Sequence, residues 1–184
     1  PTTTTTLPPA RIFPDEVTCN TEFAGFPCNA LIDSDGQTRW NAAEGGVGAV
    51  VEFEFNPPIR LSEIAFDNVT DAAPFTRNAR VKWLKITTDD RPGATWVELL
   101  DVSTSQRVEF ETVATSTVRM EITASYPGQA YEGLNPFEEL ALADVDFSGY
   151  LAEVPDTVPD GAAVGRDPAD GLSVISVIDP DRRG

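Results

Sequence analysis

The chain has 184 residues, enough for one well-buried domain, and its 30 acidic residues against 13 basic ones give a formal net charge of −17. Such a charge repels phosphate backbones and anionic lipid surfaces, so nucleic acid is not expected as a partner. No apolar run is long enough to cross a bilayer, and we expect no membrane insertion by this segment. The sequence contains no histidine, which removes the usual serine and cysteine triads and the commonest transition-metal ligand.

The first ten residues, PTTTTTLPPA, place a run of threonines between prolines. Such a segment cannot bury a core, so residues 1–10 are predicted to be an extended linker of the kind that carries O-linked sugar on exported proteins. Cys19 and Cys28 follow without a second cysteine pair, and zinc needs more ligands than they offer. They are predicted to form a disulfide, with free thiols as the alternative, and a disulfide favours an oxidising compartment outside the cytosol.

The stretch DSDGQTRW, residues 33–40, combines carboxylates with a hydroxyl in one polar loop. Calcium takes six or more oxygen ligands, and such a loop can supply several of them. The following helix and the glutamate of a helix-loop-helix calcium site are missing, so other parts of the fold would have to complete the site. The alternative is a plain turn in which Asp33 or Asp35 caps its own backbone amides.

From residue 47 onward, short apolar runs alternate with Gly, Pro, Asn and Asp. Several runs have the period of two that is typical of β-strands, as in Val118, Met120 and Ile122 against Arg119 and Glu121. The predicted strands cover residues 47–55, 59–66, 80–88, 95–100, 106–113, 117–124 and 139–147. Frequent turns and little helix indicate an all-β, antiparallel sandwich or barrel.

After Tyr150 the sequence becomes rich in Pro, Asp and Gly. Residues 151–184 are therefore predicted to be a peripheral extension, in which the apolar run at 172–179 could add one strand. The domain itself is predicted to cover residues 11–150.

Catalysis has no support in the sequence. Neighbouring acids such as Glu52 with Glu54, or Glu138 with Glu139, do not by themselves form the facing carboxylate pair that glycoside hydrolysis requires. The glycines at 45–48 lead into a predicted strand and not into a helix, so they do not indicate a phosphate-binding loop. We expect this chain not to be an enzyme, although a parent protein could be one.

Five segments, in order, resemble the discoidin or coagulation factor 5/8 C-type family of galactose-binding-like domains, and most closely its bacterial glycan-binding modules. The segments are NALIDSDGQTRW, VGAVVEFEFNPPIRLSEIAF, RNARVKWLKIT, TVRMEITASYPG and LALADVDFSGY. The resemblance implies a jelly-roll β-sandwich of about eight antiparallel strands. This fold agrees with the strand pattern reached from the residues alone.

The resemblance also implies a structural calcium ion in the loop of residues 31–38. Its ligands would be Asp33, Asp35 and Thr38, with Asp144 closing the shell where the family usually has glutamate. Ser34 stands where the family prefers glycine, which changes the expected geometry of the loop.

In the family, ligands meet the loops at one end of the sandwich, which here correspond to residues 41–47, 67–80 and 125–138. A sugar site needs an aromatic face for the C–H side of a pyranose and fixed groups that hydrogen-bond its hydroxyls. Trp40 is expected in the core, and Trp96 in the core or at a partly covered edge. The predicted carbohydrate-binding residues are Asn41, Phe75, Arg77, Asn78 and Tyr131.

The sequence therefore predicts a non-catalytic carbohydrate-binding module of an exported bacterial cell-surface or wall-associated protein. It would hold a larger, anchored parent, such as a glycosyltransferase or glycoside hydrolase, near a polysaccharide. A neutral glycan is the expected ligand because the net charge disfavours acidic polysaccharides. The alternative is a structural or protein-interaction module that keeps the fold and has no sugar site.

Overall fold

The computed structural model describes residues 8–112, 114–152, 164–166 and 173–175. Most of the predicted linker at 1–10 and most of the predicted extension at 151–184 lie outside these residues. No helix in the described part of the chain is long and apolar enough to cross a membrane.

The described chain is almost entirely β-structure, which confirms the predicted fold class. It has one short α-helix, α1 (Ala72–Arg77), and 3₁₀ turns at Cys28–Leu31 and Glu44–Gly46. The strands of the sandwich are β1 (Ala10–Ile12), β2 (Glu16–Cys19), β3 (Trp40–Ala42), β4 (Val50–Asp67), β5 (Arg80–Thr88), β6 (Thr95–Glu98), β7 (Gln106–Glu109), β8 (Thr115–Tyr126), β9 (Leu140–Leu142) and β10 (Asp144–Leu151).

Strand β4 links the two layers of the sandwich. Its first part, Val50–Glu54, pairs with β2 on one side and β8 on the other, and β8 continues the layer through β5 to the edge strand β6. Its second part, Ile59–Asp67, pairs with β10 and β7, and β10 pairs with β1. Every one of these pairings is antiparallel.

The segment NPP at 56–58 was predicted to be a turn between two strands, and this prediction is wrong. The chain stays extended through Pro57 and Pro58 and forms one strand of 18 residues. Proline has no backbone N–H to donate to a ladder. The pairing with β8 moves from Glu54 directly to Ile59, so neither proline has to pair with that strand.

The core lies between the two layers and is built by the predicted alternation. Val51, Phe53 and Phe55 point inward from β4, and the ring of Phe147 on β10 meets those of Phe53 and Phe55 edge-on at 4.9 and 5.1 Å between centroids. Trp40 is fully buried, as expected, and its indole N–H donates to the carbonyl of Thr21 at 3.0 Å.

The predicted disulfide between Cys19 and Cys28 is present. It ties the end of β2 to the 3₁₀ turn at Cys28–Leu31 and closes the loop between them. In the chain-entropy picture, closing a loop of this length stabilises the fold by about 2 to 3 kcal/mol.

Two further strands, β11 (Val164–Arg166) and β12 (Ser173–Ile175), form a small antiparallel sheet of their own in a compact unit separate from the sandwich. Strand β12 lies within the range 172–179, of which only residues 173–175 are described.

Candidate functional site

The three loops that were predicted to gather at one end of the sandwich do lie together. The amide of Gly45 donates to the carbonyl of Glu138 at 2.6 Å, which joins the first loop to the third. The amide of Phe137 donates to the carbonyl of Arg77 at 2.7 Å, which joins the third to the second. Backbone hydrogen bonds therefore fix the relative positions of the loops.

The middle loop, residues 67–80, contains the short helix α1, which was not predicted. The segment following β8 packs closely against the end of this helix. At Gly128 an added Cβ would lie 2.1 Å from the carbonyl oxygen of Arg77, so a glycine is needed for the two backbones to approach. The amide of Gln129 continues the contact by donating to the carbonyl of Thr76 at 2.8 Å.

Arg77 and Phe137 form one stacked unit at this end. The guanidinium carbon of Arg77 lies 3.7 Å from the ring centroid of Phe137, and its Nε donates to the carbonyl of Asn135 at 2.8 Å. Within the described residues, Nη1 and Nη2 of Arg77 have no hydrogen-bond partner. Phe137 is 39% exposed, so an aromatic surface lies beside two free, oriented donors.

Phe137 was not among the predicted site residues. The sequence contained a usable signal, because an aromatic residue after Pro136 sits in the same loop as the predicted Tyr131. Its pairing with Arg77 could not be read from the sequence, since the two residues are 60 positions apart.

Asn41 and Asn78 are brought together, but beneath the surface. They are 4% and 1% exposed, and the amide nitrogen of Asn41 lies 3.5 Å from Oδ1 of Asn78. Asn78 also donates to the carbonyl of Pro74 at 2.8 Å. Their placement favours a role in holding the loops together, and direct contact with a sugar stays a prediction.

Phe75 lies beside the guanidinium of Arg80, whose carbon is 5.1 Å from the ring centroid. Arg80 is buried and forms a bidentate ion pair with Asp101. Its Nε lies 2.6 Å from Oδ1 of Asp101, and its Nη2 lies 2.8 Å from Oδ2. Its Nη1 donates to the carbonyls at the end of α1, of which that of Asn78 is 2.8 Å away. Arg80 therefore stabilises the end of the helix and does not present its charge to a ligand.

Tyr131 is half-buried at the start of a tight turn in the third loop. The backbone amides and carbonyls of Tyr131 and Leu134 pair at 2.9 and 3.1 Å, and Gly133 takes the left-handed conformation, with φ 80°. The structure places Tyr131 on the same loop as Phe137, and it shows no contact between Tyr131 and Arg77.

The acidic loop at residues 33–38 is held by its own hydrogen bonds. Oδ1 of Asp33 accepts the amide of Asp35 at 2.9 Å, and the hydroxyl of Thr38 donates to the same carboxylate at 2.8 Å. Oδ1 of Asp35 accepts the amide of Gln37 at 3.0 Å. This arrangement is the self-capped turn that the sequence left open as an alternative to a calcium loop.

Asp144 is buried beside this loop. The pKa of its carboxyl is raised from 3.8 to about 6, chiefly by burial and then by the nearby charges of Asp146 and Asp33, while the amide hydrogen bond from Val145 and the charge of Arg11 act in the opposite direction. Arg11 contacts Asp146 and donates to the hydroxyl of Ser34 at 2.8 Å.

No group of three His, Cys, Asp or Glu side chains among the described residues is arranged to hold a metal. The calcium site therefore stays a prediction.

The sequence model of the NAD glycohydrolase translocation F5/8 type C domain matches residues 17–146. No curated relative matches the sequence. The matched segment runs from β2 into β10 and includes all three loops of the candidate site.

Several solved structures are similar to this chain. The family 32 carbohydrate-binding module of NanJ from Clostridium perfringens, in complex with galactose, has a TM-score of 0.54 at 14% identity, over 72% of this chain and 92% of that one. The paired family 32 modules of ZmpB from the same organism, in complex with GalNAc, have a TM-score of 0.57 at 16% identity. The match covers 76% of this chain and 34% of that one. A fucose-binding module from Streptococcus pneumoniae has a TM-score of 0.52 at 14% identity. The match covers 73% of this chain and 93% of that one. At these identities the likeness shows the fold alone.

Proposed function

Because the chain belongs to the NAD glycohydrolase translocation F5/8 type C domain family, we propose that it is a non-catalytic glycan-binding module that binds sugar at the loop end of its sandwich. The stacked pair of Arg77 and Phe137 carries this proposal. It offers an exposed aromatic surface and two hydrogen-bond donors at fixed positions.

The chemistry of this pair suits a pyranose ring. The C–H side of the ring packs on an aromatic side chain, while its hydroxyls accept hydrogen bonds from oriented donors. Because Phe137 and the carbonyl of Asn135 already hold the guanidinium of Arg77, binding does not have to immobilise a free side chain. Tyr131, on the same loop, is the second aromatic residue of the proposed site.

A neutral sugar fits the charge of the molecule. Arg77 would face a ligand with a single positive charge in a chain of net charge −17, and Arg80 is already neutralised by Asp101. The solved relatives with galactose, GalNAc and fucose-binding activity in their descriptions support this class of ligand.

The proposed setting is outside the cytosol, on an exported bacterial cell-surface or wall-associated protein that the module holds near a polysaccharide. The disulfide between Cys19 and Cys28 supports it, because such bonds persist in oxidising compartments. The threonine- and proline-rich segment at the start of the sequence also supports it.

Titration of the full chain with neutral oligosaccharides, followed by amide chemical shifts, tests the sugar site. We expect shifts in residues 72–78 and 128–138 with a dissociation constant near the millimolar range, which corresponds to about 4 kcal/mol. Phe137→Ala and Arg77→Ala should each abolish the shifts. Phe13→Ala is the matched control, because Phe13 is likewise exposed and stacked under an arginine but lies outside the three loops. Shifts confined to other parts of the sandwich would overturn the site.

A protein-interaction module is the second candidate function. Phe23, Val47 and Leu134 expose apolar side chains on loops, and the turns Phe23–Phe26 and Tyr131–Leu134 are each closed by a bridge. Exposed apolar side chains of this size are typical of protein contacts. If no neutral glycan shifts any amide of the folded chain, this candidate is preferred.

We also propose that calcium binds through Asp33, Asp35 and Thr38, with Asp144 closing the shell. The negative charges of Asp146 and Asp33 both act on the carboxyl of Asp144, and a cation would offset this repulsion. In the arrangement described, the carboxylates of Asp33 and Asp35 accept hydrogen bonds of their own turn, so binding has to replace some of these bonds.

A ligand that binds only the folded state raises the melting temperature as its free concentration exceeds the dissociation constant. We therefore expect calcium to raise the melting temperature of the full chain and a chelator to lower it, with no response in Asp33→Ala. An unchanged melting temperature in both conditions would leave the loop as a plain turn.

A further inference from the structure

Two tryptophans lie on the outer face of the sheet, on strands and not in the three loops. Trp83 is on β5 and Trp96 is on the edge strand β6. The core-facing residues of the two strands are Leu84, Ile86 and Val97, which are buried. Because successive side chains on a strand point to opposite faces, both tryptophans lie on the opposite, outer side.

The register of the two strands makes the two tryptophans neighbours on this face. Lys85 is directly opposite Trp96, and Trp83 is directly opposite Glu98. The two tryptophans are therefore diagonal neighbours, a separation of about 7 to 8 Å between Cα atoms that aromatic side chains can span. Lys85 lies between them along the face.

Both tryptophans expose part of their side chain to solvent. Trp96 is 58% exposed, whereas it was expected in the core or at a partly covered edge. Trp83 is half-buried. Neither indole N–H donates a hydrogen bond to any of the described residues, in contrast to that of Trp40, which donates to Thr21. Indole N–H groups usually find a partner when they are covered, so these two are available to a ligand.

The charges on this face offset one another. Nζ of Lys85 lies 3.6 Å from Oε2 of Glu121, which Arg119 also approaches at 3.8 Å. Glu98 lies beside Trp83 on the neighbouring strand. Lys85 and Arg119 thus offset Glu121 and Glu98, while Glu52, opposite Arg119 in the register of β4 and β8, adds one carboxylate to the same face.

We propose that this face, formed by Trp83, Lys85, Trp96 and Glu98, is a second glycan-binding surface that takes a neutral polysaccharide chain lying across β5 and β6. Successive sugar rings would pack on the two indole rings, and the charged side chains between them would hydrogen-bond the hydroxyls. Because positive charge is not in excess on this face, it favours a neutral chain over an acidic one.

A protein partner fits this face less well. A stable protein interface needs about 1,000 Å² of buried surface with an apolar centre. Here one exposed tryptophan and one half-buried tryptophan are interleaved with charged side chains. A surface with this alternation of aromatic and charged side chains lacks the apolar centre of such a contact.

The three indole N–H signals of the full chain test this proposal. Titration with neutral oligosaccharides of six sugar units, such as cellohexaose, mannohexaose and galactohexaose, should shift the indole signals of Trp83 and Trp96. The signal of Trp40 should stay in place, because this residue is fully buried. Trp96→Ala should weaken binding at this face at least tenfold, and Trp83→Phe should weaken it less.

Leu100→Ala is the matched control, since it also removes an exposed apolar side chain next to β6 and should leave binding unchanged. Arg77→Ala should leave the indole shifts intact, which separates this surface from the loop-end site. The proposal is overturned if no neutral oligosaccharide shifts the two indole signals, if only an acidic oligosaccharide such as hexagalacturonic acid shifts them, or if they shift only with protein concentration as the chain associates with itself.

Discussion

Arg77 and Arg80 are close in the sequence and serve different purposes. Arg77 keeps two nitrogen donors free at the surface beside Phe137. Arg80 is buried, and its nitrogens donate hydrogen bonds to Asp101 and to the carbonyls at the end of α1. A buried guanidinium is tolerated only with a close partner of opposite charge. The position of α1 therefore depends on a residue that does not face the proposed sugar site.

Removing the partner of Arg80 should strongly destabilise the fold. Asp101→Ala leaves a buried charge uncompensated, and we expect it to lower the free energy of unfolding by about 2 to 4 kcal/mol. Glu63→Ala is the control, because it breaks the exposed ion pair with Arg107 and should cost less than about 1 kcal/mol. Urea denaturation measures both. Equal losses in the two variants would contradict the role given to Arg80.

Asp144 should make the stability of the calcium-free protein depend on pH. Its folded pKa of about 6 is above the ordinary value of 3.8 for an aspartate, so between these values the folded state binds the proton more tightly than the unfolded state. Stability should therefore be greater near pH 4 and should fall as the pH rises through 6.

Asp144→Asn tests this dependence. With a chelator present, the variant should exceed the parent chain in stability at pH 7 by about 1 to 3 kcal/mol and match it near pH 4, since one pKa unit corresponds to about 1.4 kcal/mol. The amide side chain keeps an oxygen for the N–H of Val145. Parallel pH profiles for the two proteins would show that Asp144 does not titrate in this range.

At the scale of the elements, the segment after β8 packs on α1 through backbone alone. Gly128→Ala would put a Cβ 2.1 Å from the carbonyl oxygen of Arg77, so the backbones must move apart. We expect a loss of about 1 to 3 kcal/mol, as for other overpacked sites, together with weaker binding of sugar at the loop end. Thermal unfolding and the glycan titration give the two readouts.

Gly149→Ala is the matched comparison for this variant. Its Cβ would lie 2.2 Å from the carbonyl oxygen of Arg60, where β10 carries a bulge next to β4. The cost in stability should be similar, while the loop end stays in place. Loss of sugar binding in Gly149→Ala as well would mean that the effect of Gly128→Ala is one of general stability.

The strands and the helix also show which parts of the fold could be predicted from the sequence. Period-two alternation predicted that Val118, Met120 and Ile122 share one face, and all three are buried, because burial on one side of a strand leaves that signal in the local sequence. The continuity of β4 and the helix α1 were missed because both depend on distant partners. In α1, the buried Arg80 holds a six-residue helix that has no buried residue of its own. Phe137 was missed at the site for the same reason, since Arg77 comes from another loop.

At the scale of the whole molecule, the chain carries 30 acidic residues and 13 basic ones. Repulsion among like charges destabilises a compact state, and salt screens it. We expect the melting temperature to rise by a few degrees when sodium chloride is raised from roughly 10 to 500 mM with a chelator present. The chelator excludes a contribution from calcium. A fall in melting temperature would instead show that ion pairs such as that of Arg80 and Asp101 dominate.

The position of β10 between β1 and β4 has a consequence for synthesis of the chain on the ribosome. Strand β1 is made early and pairs with β10, which is made more than 130 residues later. The rings of Phe53 and Phe55 likewise cannot be covered by that of Phe147 until this later residue has been made. Loop closure over such distances is slow, and here it cannot begin until nearly the whole sandwich has left the ribosomal tunnel. We therefore expect the aromatic core of the nascent chain to stay exposed until β10 has emerged, and the sandwich to fold only then.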